Sequence, residues 1–249
     1  MIFRILLLLS FLGLAGCGGG GGSSSVEEGT SVTFTAQAVP NSVITATADG
    51  KSFYNRDGVK ITLKKAYLTI WSVALSSDCS NPSFSRWGEN MLAWLINDSQ
   101  AHAVSAPTQL GVPSAINLLD NKEFLLGSIN PPPASYCGTE INFLKADPDT
   151  QYLPQNFSML NRSLYLEGEF IPVGSSQAIP FVFDTAKALL PRLLRAPVTL
   201  SSTQRTATLK FTLAYDTWFD GLDLRVLSSD ETQQSLLFYN LVQSVRKNS

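Results

Sequence analysis

The chain has 249 residues, a formal net charge of −2, 15% charged residues and 44% hydrophobic ones. That slightly acidic balance carries no basic stripe, so nucleic acid is excluded as a partner. The apolar content is ordinary for a globular chain, and the length suits one large β domain or two small ones.

The first element is a leader. Arg4 supplies a positive start, and Ile5 to Leu9, Phe11, Leu12 and Leu14 form an apolar run of roughly ten residues. A bilayer crossing needs about 20 apolar residues, so this run is too short to span, and no later stretch reaches that length. The small residues Ala15 and Gly16 then lead into Cys17. Leu14-Ala15-Gly16-Cys17 resembles the lipobox of bacterial lipoproteins. The resemblance implies removal of residues 1–16, a diacylglyceryl group on the Cys17 thiol and acylation of the new amino terminus. Two or more acyl chains give stable anchoring where one gives only marginal binding. Gly18 stands where an aspartate would favour inner-membrane retention, so the implied destination is the outer membrane.

Residues 17–29 carry the anchor and a Gly/Ser run, a flexible coil reaching roughly 15 Å over eight residues. No Gly-Lys-Ser/Thr follows it, so it is a tether and not a phosphate-binding loop. With Cys17 committed to lipid, Cys79 and Cys137 remain as an even pair in an oxidising compartment. They are expected to form one disulfide.

Beyond the tether, from residue 30 to 249, the dominant period is two. Val32, Phe34, Ala36 and Ala38 alternate with polar residues, as do Val59, Ile61 and Leu63 after the Asn55-Arg56-Asp57-Gly58 turn. Ala66 to Leu75 is apolar on both faces and reads as a central strand. Met91 to Ile96 fits strand or helix. Short strands are expected over 115–119, 124–129 and 139–145, with Pro131, Pro132 and Pro133 as a stiff link. Leu164, Leu166 and Phe170 share one strand face, opposite Tyr165, Glu167 and Glu169, and Gly168 marks a bulge.

Further strands are expected over 179–183, 207–213 and 222–226. Thr185 to Arg195 is at most a short helix, broken by Pro191. A C-terminal helix over 230–246 is expected, with Ser229 as N-cap and Arg246 and Lys247 in the last turn complementing its dipole. The fold class is therefore mainly β: an antiparallel sandwich-like single domain with a C-terminal α-helix. Three segments between Asn117 and Tyr136, namely Asn117-Leu118-Leu119-Asp120, Leu126-Gly127-Ser128-Ile129 and Pro133-Ala134-Ser135-Tyr136, are similar to a pattern of transthyretin-like sandwiches in bacterial lipoproteins of unknown function. Ser135 stands where that pattern has glycine. A vaguer likeness is to periplasmic copper-binding proteins associated with methanobactin. Neither resemblance carries a functional residue across.

Candidate chemistry is sparse. His102 is the sole histidine and reads as solvated, which excludes an internal site of two histidines. No Gly-x-Ser-x-Gly elbow is present, so no catalytic residue is assigned. Copper favours soft ligands, and only Met91 and Met159 remain outside the leader. Trp71, Trp87, Trp94 and Trp218 read as core or rim aromatics. Asp147 and Asp149, and Asp216, Asp220 and Asp223 around Trp218-Phe219, are the oxygen-rich clusters a calcium site would draw on. Turn aspartates commonly satisfy local backbone instead, so no metal ligand and no cofactor is assigned. Glu167 and Glu169 read as exposed strand charge, and Trp218-Phe219 as a core edge in preference to a ligand platform.

The expectation is an outer-membrane-anchored lipoprotein, not an enzyme, acting as a binding or assembly module toward an envelope protein or glycan. The alternative is a periplasmic copper- or calcium-binding protein.

Overall fold

The computed structural model describes residues 29–79, 106–189 and 191–248. The leader, Cys17, the tether, Trp87, Met91 to Ile96 with Trp94, and His102 lie outside the described residues. The strands, in order, are β1 (Ser31–Ala38), β2 (Thr45–Thr47), β3 (Gly50–Tyr54), β4 (Lys60–Ile70), β5 (Ser72–Ser76), β6 (Gln109–Leu110), β7 (Ser114–Asn117) and β8 (Glu123–Ile129). They continue with β9 (Ser135–Tyr136), β10 (Gly138–Asn142), β11 (Leu164–Ile171), β12 (Ile179–Thr185), β13 (Arg192–Leu194), β14 (Val198–Thr199) and β15 (Thr206–Leu213). A 3-10 helix (Tyr215–Phe219), helix α1 (Glu231–Ser244) and β16 (Val245–Lys247) complete the described elements. The fold is mainly β with a C-terminal helix, as expected.

The largest sheet has the order β12-β11-β4-β3-β2, with β7 pairing the second half of β4. A four-stranded sheet runs β16-β15-β1-β8, and a second runs β13-β10-β5-β6. Most neighbours are antiparallel. Among the described strands, β1 and β15 run parallel, from Ser31↔Thr206 to Ala38↔Leu213. The alternations read from sequence hold there: Val32, Phe34, Ala36, Ala38, Leu209, Phe211 and Leu213 are buried. One continuous apolar cluster joins these faces to Trp218, Phe219, Leu237 and Leu241.

Strand β4 carries a bulge that explains its sequence. Ile61 and Leu63 point inward, but so do Ala66, Leu68 and Ile70, a change of phase across Lys64-Lys65. The pairing to β11 slips there: Glu167 faces Lys65 while Gly168 faces Leu63, leaving Lys64 as the extra residue. A Cβ at Gly168 would collide with the Thr62 carbonyl oxygen, so the bulge needs glycine at this position. Both lysines consequently reach the outer face.

Four expectations are corrected. Ala66 to Leu75 is not one central strand: β4 ends at Ile70, Trp71 donates its amide to Asn142 O (2.7 Å), and β5 enters a different sheet. Residues 222–226 form turns, not a strand. Gly221 at φ +73° redirects the chain, and the Asp223 side chain accepts from the Arg225 amide, taking that backbone out of any ladder. Residues 192–194 form β13 instead of a helix, consistent with Pro191 withholding a donor just before an extended run. Helix α1 spans 231–244 and not 230–246. Asp230, not Ser229, caps it by accepting from Thr232 N and Gln233 N, and Arg246 and Lys247 belong to β16.

Cys79 and Cys137 form a disulfide, with Cα atoms 6.0 Å apart and a sequence separation of 58.

Candidate functional site

In the acidic cluster around Trp218, Asp216 turns inward, while Asp220 and Asp223 stay partly exposed. Trp218 and Phe219 are fully buried, Trp218 donating its indole N–H to Ser244 Oγ (2.7 Å) and Phe219 packing against Phe53 and Phe181. They belong to the core, as expected of them. The Asp216 carboxylate is buried and accepts from the amides of Asn41 (3.0 Å) and Ser42 (2.7 Å), fixing the loop after β1. Asp220 Oδ1 accepts from Arg56 N (2.9 Å), and Asp57 Oδ2 accepts from Gly221 N (2.6 Å). This reciprocal exchange latches the β3–β4 turn to the end of the 3-10 helix. Asp223 pairs with Arg225 through its guanidinium. Asp147 Oδ1 accepts from Asp149 N (3.0 Å) and Thr150 Oγ1 (2.9 Å), a local turn. These carboxylates stabilise backbone instead of converging on one point. Among the described residues, no group of three or more His, Cys, Asp or Glu could hold a metal ion.

The outer face of the largest sheet is different. Tyr67 on β4 and Tyr165 on β11 are direct cross-strand partners pointing away from the core. Phe157, from the loop joining the β10 side of the fold to β11, lies over both, with ring centroids 5.3 Å from Tyr67 and 4.4 Å from Tyr165. The Arg162 guanidinium stands 5.5 Å from the Phe157 centroid and 5.4 Å from that of Tyr165, and Lys65 Nζ stands 5.8 Å from Phe157. Such cation–aromatic contacts contribute about 0.5–1 kcal/mol each at exposed sites.

Three ion pairs frame the rings: Lys64–Glu169 (2.8 Å), Lys65–Glu167 (2.8 Å) and Arg162–Asp184 (2.7 Å). The bulge makes the first two possible, because it turns adjacent lysines to the same side as the two glutamates. Tyr165 donates its hydroxyl to Glu167 Oε2 (2.7 Å). Lys65, then Tyr165, hold the Glu167 carboxyl below its usual range. Burial first, then the bond to Glu167, pushes the Tyr165 hydroxyl up to about 12. At neutral pH this face therefore presents an ionised acceptor and a protonated phenol. It offers stacking surface and hydrogen bonds, and it holds its protons in place.

The loop bearing Phe157 is bracketed by two left-handed residues, Tyr152 (φ 59°) and Asn161 (φ 62°). Asparagine tolerates that conformation, but a tyrosine there is held against its preference. The Tyr152 hydroxyl donates to Leu125 O (2.8 Å), and its ring meets Phe124 edge-on at 5.4 Å. At the other end Asn161 N donates to Ala146 O, Ala146 N donates to Arg162 O, and the Arg162 guanidinium also donates to Ser158 O. Buried Met159 pins the middle. Between these anchors, residues 153–160 line a shallow hollow open to solvent.

The sequence reading placed Tyr165, Glu167 and Glu169 on one outward face, and they are there. It did not single out Tyr67, Phe157 or Arg162. The visible signal was a lone aromatic between polar residues, Gln155-Asn156-Phe157-Ser158, in a turn-rich stretch.

No family model, curated protein or solved structure matches the chain.

Proposed function

We propose that the chain is a lipid-anchored lipoprotein of the bacterial outer membrane, processed before Cys17, whose β domain is a non-catalytic binding module. The anchor rests on the apolar run ending in Leu14-Ala15-Gly16-Cys17. The observation that carries the binding role is the cluster of Phe157 tilted over the Tyr67–Tyr165 pair, set among ion pairs on a solvent-facing sheet. Three contiguous aromatics on the polar side of a sheet are surplus to core formation and suit recognition. The carboxylates around them are engaged as acceptors, which favours binding over proton transfer.

Expression of the full chain in a bacterium fed labelled palmitate tests the anchor. Wild type is expected to carry label and fractionate with outer membranes, and Cys17→Ser to lose both. An unlabelled, soluble wild type would contradict it. For the binding role, a photo-crosslinker at position 156 is expected to form an envelope adduct that Phe157→Ala abolishes. The same crosslinker at exposed Val43 is expected to form none. Equal yields at both positions would contradict the binding face.

A further inference from the structure

The hollow lined by residues 153–160 differs in chemistry from the face beside it. No residue lining it carries a charge. Leu153, Pro154 and Phe157 are half-buried apolar groups, and Leu160 is exposed at the rim. Gln155 and Asn156 are exposed and bring amides, each with two donors and an acceptor oxygen. The two cations beside the Phe157 ring are paired. Arg162 is closed on Asp184 and the Ser158 carbonyl, and Lys65 is closed on Glu167.

With those cations paired and a neutral lining, the hollow holds no free charge to attract an ion. A wholly apolar ligand would leave the exposed amides of Gln155 and Asn156 unused. A neutral polyhydroxylated ring meets both conditions: its C–H face covers apolar and aromatic carbon, and its hydroxyls both donate and accept.

We infer that loop 153–160 is a saccharide subsite that takes a neutral sugar unit of a glycan, with Phe157 and Pro154 as the stacking floor and Gln155 and Asn156 as hydroxyl partners. This inference rests on the binding-module reading and names its ligand class. The anchors at Tyr152 and Asn161 hold the loop in shape before the sugar arrives, which lowers the ordering cost of binding.

Calorimetric titration of the full chain in detergent tests it, with chitotetraose, cellotetraose and maltotetraose as neutral probes and polygalacturonate as the anionic one. At least one neutral probe is expected to give saturable heat, little changed by salt, and polygalacturonate none. Phe157→Ala is expected to weaken binding about tenfold or more, Phe157→Tyr to retain it, and Gln155→Ala, at an exposed position whose truncation leaves the fold intact, to weaken it several-fold. Absence of saturation by every neutral probe up to about 10 mM, or unchanged affinity in Phe157→Ala and Gln155→Ala, overturns the subsite. Salt-sensitive binding of polygalacturonate alone also overturns it. If the sugars fail while the crosslinker at position 156 still gives its Phe157-dependent adduct, the glycan class falls and the binding module stands. If both fail, both readings fall.

Discussion

Two regions of this chain pair aromatic rings with carboxylates, and they do opposite things. Around the 3-10 helix, Tyr215, Trp218 and Phe219 are fully buried, and Asp216 and Asp220 spend their oxygens on amides from distant loops. On the outer sheet face, Tyr67, Tyr165 and Phe157 stay half-exposed, and Glu167 and Glu169 are answered by lysines across the strand. Asp216, facing inward, takes its hydrogen bonds from the Asn41 and Ser42 amides and so becomes a clasp. A carboxylate facing outward pairs with mobile cations at little net gain, and the rings beside it remain available. Rings and carboxylates stand in both regions, and their burial decides the role.

The sharpest way to break this contrast is Trp218→Ala. It removes a fully buried ring and its bond to Ser244, and the expected loss of stability is about 3–5 kcal/mol by denaturant unfolding. Phe157→Ala is expected to lose about 1–2 kcal/mol, as a half-buried ring with two tilted ring contacts and two cation contacts would. Equal losses would erase the distinction. Asp216→Ala comes next, at roughly 2–3 kcal/mol, because the Asn41 and Ser42 amides lose their acceptor. If calcium instead raised the wild-type unfolding midpoint and Asp216→Ala removed that rise, the clasp would be a metal site.

Gly168→Ala tests the bulge. Its new Cβ would meet the Thr62 carbonyl, and the expected cost is about 1–3 kcal/mol with weakened Lys64–Glu169 and Lys65–Glu167 pairing. A neutral substitution would mean that the bulge does not depend on glycine.

Alkaline titration compares a tyrosine from each region. Burial pushes both Tyr165 and Tyr215 up to about 12, helped by Glu167 in the first and by Asp216 in the second. Each value is raised above the ordinary 10.0, so the stability linked to it is present below pH 10 and is lost as pH rises through 12. In Phe157→Ala, Tyr165 is expected to titrate closer to 10 while Tyr215 stays put. A shift of both, by absorbance titration, would mean that the regions are coupled. The smallest effect belongs to Lys65→Met, about 0–1 kcal/mol for a pair this exposed. Glu167 lies below its ordinary 4.5, so its contribution is present above pH 4.5 and lost as pH falls further. Lys65→Met is expected to flatten that acid-side decline.

Much of the fold was legible because burial on one sheet face writes a period of two. Val32 to Ala38, Leu164 to Phe170 and Ala207 to Leu213 each announce a strand and its inward side, and Gly168 announces the bulge. What alternation cannot write is the partner. Nothing in Val32 to Ala38 says that it pairs in parallel with a strand more than 160 positions away. Leu222 and Leu224 alternate like a strand, yet Val226 is 37% exposed and Leu227 is buried, because Gly221 and Asp223 impose turns. The candidate site was half legible for the same reason. The outward residues of β11 follow from its own pattern, whereas Phe157 reaches them from a loop whose placement depends on tertiary anchors at Tyr152 and Asn161.

The most direct test maps amide chemical shifts of the full chain as a neutral oligosaccharide is added. Perturbations are expected to cluster at residues 153–162 and to reach Lys65, Tyr67 and Tyr165 across the sheet. Perturbations centred on 216–224, or saturating binding that leaves 153–162 unmoved, would contradict the assignment of the outer face as the working surface.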